Sequence, residues 1–93
     1  MDERKHFVAE SYEQGDAACT SRRAALAAEA LSKRGRPIRH VWSIAAPEDE
    51  LCLHLFETCS TELVAELAGE AALSFDRIWA AVPLDPIPER RDP

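Results

Sequence analysis

Glycine is scarce, three in 93 residues, and that leaves little from which to build a loop that cradles phosphate. The sequence also lacks a GxSxG elbow and any Cys-x-x-Cys pair. Its three cysteines, Cys19, Cys52 and Cys59, are an odd number and suggest no disulfide framework; all three are read as free thiols packed as small apolar groups. Basic residues are in the minority: 11 Lys and Arg stand against 17 Asp and Glu, for a formal net charge of −6. Phosphate binding needs a basic face, so no nucleic-acid partner is expected, and neither is an anionic membrane surface. No apolar run approaches the roughly 20 residues of a spanning helix. The opening Met1-Asp2-Glu3-Arg4-Lys5-His6 holds no apolar segment of the signal-peptide type. A cytoplasmic location is the expectation.

What is present is the composition of a globular domain, 46% hydrophobic and 30% charged. The length suits one domain, and a chain this short buries only roughly 60–65% of its unfolded surface, so it gains from a partner. Residues 7–12, FVAESY, read as a strand. Residues 16–34 read as an alanine-rich helix with Cys19, Leu26, Ala27, Ala30 and Leu31 on its apolar stripe. Asp16, Thr20 and Ser21 are each acceptable N-caps. Lys33 and Arg34 suit the last turn, Gly35 suits a left-handed stop, and Pro37 prevents resumption. Residues 38–45 and 51–56 read as two strands joined by the polar Pro47-Glu48-Asp49-Glu50. Ser60 caps a second helix whose stripe is Leu63, Val64, Leu67, Ala68 and Ala71. Residues 77–82 form the last strand, and the prolines at 83, 86, 88 and 93 make the end of the chain an extended arm. The domain is therefore set at 1–84, with a proline-rich tail at 85–93.

The order β-α-β-β-α-β predicts an α+β, ferredoxin-like fold, an antiparallel four-stranded sheet with both helices on one face. Right-handed crossovers put the first and third strands side by side in the centre, and we read those two as parallel. Strand alternation then assigns faces. Leu51, Leu53 and Leu55 are expected beneath the helices. Val8, Glu10, Tyr12, Cys52, His54, Phe56 and Trp79 are expected on the open face. For the second strand that face carries either His40, Trp42 and Ile44 or Val41, Ser43 and Ala45, the first being favoured because it holds the Trp. So many rings on an uncovered face predict a homodimer packed sheet to sheet, a dimeric α+β barrel; the alternative is a monomer whose open face is partly capped by the proline-rich tail.

The chemistry-bearing group on that face is Glu10, Cys52 and His54, with His40 as a further ligand. Cys-x-His on one strand points both side chains the same way, and imidazole, thiolate and carboxylate suit nickel, zinc or copper. The blander reading makes Cys52 core filler and His54 a hydrogen-bonded interface residue. Without metal, Glu10 and His54 form an acid–base pair in a pocket lined by Tyr12, Trp42, Phe56 and Trp79, the equipment of a small cofactor-free isomerase, cyclase or monooxygenase. In the matching structural reading Glu10 pairs with Arg77 or His54 as a buried ion pair. The third possibility is a structural or regulatory dimerisation domain. His6 is read as frayed and solvated, and Arg22-Arg23 as solvated helix charges or a small anion site.

Three stretches carry a family likeness: Phe7-Val8-Ala9-Glu10-Ser11-Tyr12, Leu53-His54-Leu55-Phe56-Glu57 and Leu73-Ser74-Phe75-Asp76-Arg77-Ile78. Over residues 7–84 the chain resembles a family of small bacterial domains of unknown function often labelled nickel-binding proteins. The family's aromatic-rich strand leads into Glu-Ala-Pro, where this chain has Glu57-Thr58-Cys59, and it often has cysteine where this chain has His54. The resemblance implies the ferredoxin-like dimer and, for some members, nickel binding.

Overall fold

The computed structural model describes residues 4–12 and 16–84. Its elements are β1 (Lys5–Tyr12), α1 (Ala17–Lys33), β2 (Ile38–Ala46), a 3-10 turn (Pro47–Asp49), β3 (Leu51–Thr58), α2 (Thr61–Ala71) and β4 (Arg77–Ala81). The sheet order is β2-β3-β1-β4, and every neighbouring pair is antiparallel. This is the ferredoxin-like arrangement that the element order predicts. The central strands are nonetheless antiparallel, not parallel. The α1 crossover leaves room for one strand between β1 and β2, and β3 fills it, opposed to both.

Local chemistry sets the helix ends. Asp16 is the N-cap of α1, and its carboxylate accepts from the backbone N–H groups of Ala18 and Cys19. At the other end Gly35 has φ +81°, and the N–H groups of Gly35 and Arg36 bond the carbonyls of Ser32 and Leu31 at 3.1 and 2.9 Å. This is a Schellman closure. Ser60 caps α2, accepting from the Leu63 N–H at 3.4 Å. The same closure recurs after α2 with Ala72 in the left-handed position, φ 56°, and the Leu73 N–H bonding the Ala68 carbonyl at 2.9 Å. Arg23 secures that end by donating to the carbonyls of Ala71 and Ala72 at 2.8 and 2.6 Å. Its charge is thus structural and not merely solvated. On the outer surface Arg36 clasps Glu66 at 2.8 Å, and this hydrogen bond holds the Glu66 carboxyl below the usual carboxylate range.

Both helices lie on one face of the sheet, over a core of Phe7, Ala9, Ile38 and Phe56 from the strands and Ala24, Ala27, Ala28, Leu31, Leu63, Val64 and Leu67 from the helices. The α1 stripe is rotated from the expected one: Leu26 is 58% exposed and Cys19 is exposed, while alanines face the sheet. Small side chains allow close approach, which favours the alanine face over the leucine. Of the three thiols, only Cys52 is buried. Among the described residues no helix is long and apolar enough to cross a membrane. The proline-rich tail, residues 85–93, lies outside the described residues.

Faces follow from register, because residues directly opposite in a ladder share a side. Phe7, Ala9 and Ser11 face Phe56, His54 and Cys52 across the central pair. Phe7 and Ala9 belong to the helix-covered core, so Cys52, His54 and Phe56 lie under the helices. Leu51, Leu53 and Leu55 lie on the open face. That reverses the expected parity of β3. Alternating leucines read as a core face, yet the opposite set is more completely buried: Cys52, His54, Phe56 and Thr58 are at most 1% exposed.

The left-handed Ala72 yields a prediction. Replacing it with glycine removes the Cβ penalty of that conformation, so Ala72→Gly should stabilise the fold by about 0.5–1 kcal/mol. A rise in the urea midpoint at unchanged slope would register it.

Candidate functional site

A β-bulge builds the polar centre of the helix face. Along β2, Ile38 and His40 pair with Thr58 and Phe56, whereas Trp42 and Ser43 pair with Leu55 and His54. Val41 is the extra residue, and such an insertion re-aims the side chains beyond it. His40 and Ser43 therefore both face the helices, while Trp42 and Ile44 face away. Neither alternating set expected for this strand is intact.

The consequence is a chain of four side chains from three strands. The Ser43 hydroxyl lies 2.9 Å from His40 Nε2 and 2.6 Å from His54 Nδ1, and His54 Nε2 lies 3.4 Å from Ser11 Oγ. Ser43 has one hydroxyl proton, so it donates to one imidazole and accepts from the N–H of the other. His54 is fully buried and Ser11 is 3% exposed, while His40 and Ser43 are half-buried. Aromatic rings wall the histidines: Phe75 is 5.6 Å from His54, and Phe56 is 5.6 Å edge-on to His40. Buried polar atoms in such a setting are held by their hydrogen bonds.

The open face is different in kind. Tyr12 is 60%, Ile44 54%, Trp42 37% and Trp79 36% exposed. Glu10 sits among them with its side chain only 12% exposed, 4.0 Å from the Arg77 guanidinium, which lies over the Trp79 ring at 5.1 Å. At the opposite end of β1, Glu57 gathers Arg39 at 3.3 Å, Arg4 at 3.7 Å and His6 at 3.7 Å. His6 is half-buried and not frayed; its Nε2 is buried without a hydrogen-bond partner.

The sheet thus divides the residues that the sequence groups together. Of the expected metal ligands Glu10, His40, Cys52 and His54, only Glu10 is on the open face. Among the described residues, no three His, Cys, Asp or Glu side chains are gathered as a metal site. The expected acid–base partners Glu10 and His54 likewise lie on opposite sides of the sheet. Tyr12, Trp42 and Trp79 do share the open face, but Phe56 is in the core. Glu10 lies 4.0 Å from Arg77, one of the two partners that the structural reading offered it, although the arginine is exposed and the pair is not buried. Sequence reasoning missed Ser43 and Ser11. A lone serine in an apolar strand carries no signal until the bulge is known. A shallow groove of about 250 Å³ between the helices is lined by Arg23, Leu26, Ala27, Ala30, Glu70 and Ala71; of these only Arg23 was a candidate site residue, as part of the possible Arg22-Arg23 anion site.

No protein-family model matches the sequence, and no curated protein matches it. Among solved structures the chain is similar to that described as the crystal structure analysis of SCO4226 from Streptomyces coelicolor A3(2), with a TM-score of 0.65 and 23% identity over 87% of this chain and 99% of that one. At that identity the likeness establishes the fold alone.

Ser43→Ala removes a hydrogen bond from both imidazoles at once. Leaving buried polar groups short of a partner should cost about 1–3 kcal/mol, read as a lower midpoint in urea. A loss within experimental error would mean the network adds nothing to stability.

Proposed function

We propose that the protein is a cytoplasmic homodimer whose two open sheet faces pack together and hold a small organic ligand between them. The observation that carries this reading is the open face itself. Two Trp, a Tyr and an Ile are exposed on it, with Leu51 and Leu53 half-buried between them, while both helices pack on the other side. Contiguous apolar surface of that kind marks an interaction site, and face-to-face sheets are a stable way to bury it. Rings give a ligand flat apolar contacts. Glu10, nearly enclosed and close to one exposed cation, supplies the polar contact that fixes orientation.

The organic ligand is preferred over nickel or zinc because Cys52, His54 and His40 stand behind the sheet, leaving Glu10 without the soft donors that a transition-metal site draws on. The cofactor-free enzyme built on Glu10 and His54 is disfavoured for the same reason, since no proton passes directly between groups on opposite faces of a sheet. A purely structural dimerisation domain would share the interface and lack the ligand.

Light scattering on the untagged protein should give twice the chain mass. Ile44→Glu, at a site already exposed in the single chain, should halve it with the far-ultraviolet spectrum unchanged; a wild-type monomer at micromolar concentration would defeat the proposal. Native mass spectrometry separates the remaining readings. A bound organic mass supports the ligand, a bare dimer supports the structural domain, and bound nickel or zinc would restore the metal.

A further inference from the structure

The helix-side chain His40–Ser43–His54–Ser11 is independent of the interface proposed above and lies on the opposite face of the sheet. Three observations bear on its chemistry. The Ser43 hydroxyl is 2.6 Å from His54 Nδ1, within the reach that a base needs to take its proton. His54 has its other nitrogen on Ser11, so the base is oriented by a third group, as an activated nucleophile requires. And Ser43 is half-buried while His54 is wholly buried, so the pair spans the margin of the helix-covered core.

We propose that Ser43 is a nucleophilic serine, with His54 as its general base and Ser11 and His40 as positioning residues, acting on small activated acyl esters. The reactive arrangement has a defined set of protons. Ser43 donates to His54 Nδ1, His54 carries its own proton on Nε2 toward Ser11, and His40 Nε2–H donates to the Ser43 oxygen. In the first step Ser43 Oγ attacks the ester carbonyl carbon and its proton passes to His54 Nδ1. The C–O bond to the leaving group breaks, and the leaving oxygen takes the proton from the imidazolium. In the second step water attacks the acyl-serine, giving its proton to His54, and Ser43 recovers a proton as the acid departs. The sum is ester plus water to acid plus alcohol, with no redox change. The bulge at Val41 is the structural device that makes this possible, since a regular strand would put His40 and Ser43 on opposite faces.

The test traps the nucleophile. A fluorophosphonate probe forms an Oγ–P bond as fluoride leaves, and peptide mapping of the full chain locates it. The expected result is a single phosphonylated residue, Ser43, with no adduct in Ser43→Ala and labelling slowed by about 100-fold or more in His54→Gln, the scale of a lost general base. Hydrolysis of 4-nitrophenyl acetate should fall in parallel. Because His54→Gln alters a buried position, wild-type protein unfolded in urea serves as a second control and should lose the selective labelling of Ser43. Absence of the Ser43 adduct in folded wild-type protein, equal labelling of folded and unfolded chain, or labelling indifferent to a folded His54→Gln would each overturn the assignment.

Discussion

The pairing of Ala9 with His54 is the constraint on which the rest of the molecule depends. In a sheet, a slip of one residue exchanges every side chain between faces. With Ala9 opposite His54, the smallest apolar side chain of β1 makes room for an imidazole beneath the helices. Phe7 meets Phe56 and Ser11 meets Cys52 by the same register. Ser11 is thereby set near the inner nitrogen of His54, and Glu10 is sent to the other side with Leu53 and Arg77 as its neighbours. The chemical distinction between the two faces of β1 and β3 descends from that register.

The second determinant is the bulge at Val41. It divides β2 into a first part in phase with one face and a second part in phase with the other. Trp42 and Ile44 join the open face, and Ser43 turns inward to meet His54. A continuous strand could turn Trp42 and Ile44 to the open face and Ser43 toward His54, but it would put His40 on the open face as well and break the His40–Ser43 link. The distortion is therefore part of how the two faces acquire different chemistry, not an irregularity at the sheet edge.

These two determinants explain what was legible in the sequence. Signals that act over three or four residues were readable: the Ser60 cap, the Gly35 stop and the alternation within β1 and β3; the first helix's cap stayed open among Asp16, Thr20 and Ser21, and the bulge broke the alternation of β2. Element order then led to the sheet order through topology alone. Parity between strands was not readable, because it depends on pairing across the sheet. Leu51, Leu53 and Leu55 argued for a leucine core, while the more buried set was Cys52, His54 and Phe56, stabilised by contacts with Phe75 and with Ser43 that are distant in sequence. The left-handed Ala72 was equally silent, since alanine gives no sign of a positive φ. Of the candidate site, the sharing of one face by Glu10, Tyr12, Trp42 and Trp79 was legible; the grouping of Glu10 with His54 and Cys52 was not sound, because it assumed the wrong parity for one strand.

The two tasks proposed for opposite faces of one small sheet raise the question of whether they interfere. A partner packed on the open face covers Trp42, Ile44, Tyr12 and Trp79, none of which belongs to the hydrogen-bonded chain on the other side. The strands themselves connect the faces, however. Trp42 and Ser43 are adjacent in β2 and lie just beyond the same bulge, so one short backbone segment positions both the Trp42 ring and the Ser43 hydroxyl between its two imidazoles. Interiors are close-packed and pass on small displacements, and a hydrogen bond of this kind weakens steeply as its angle departs from linear. The bulge that separates the two faces in space is thus also the stretch of backbone on which both depend.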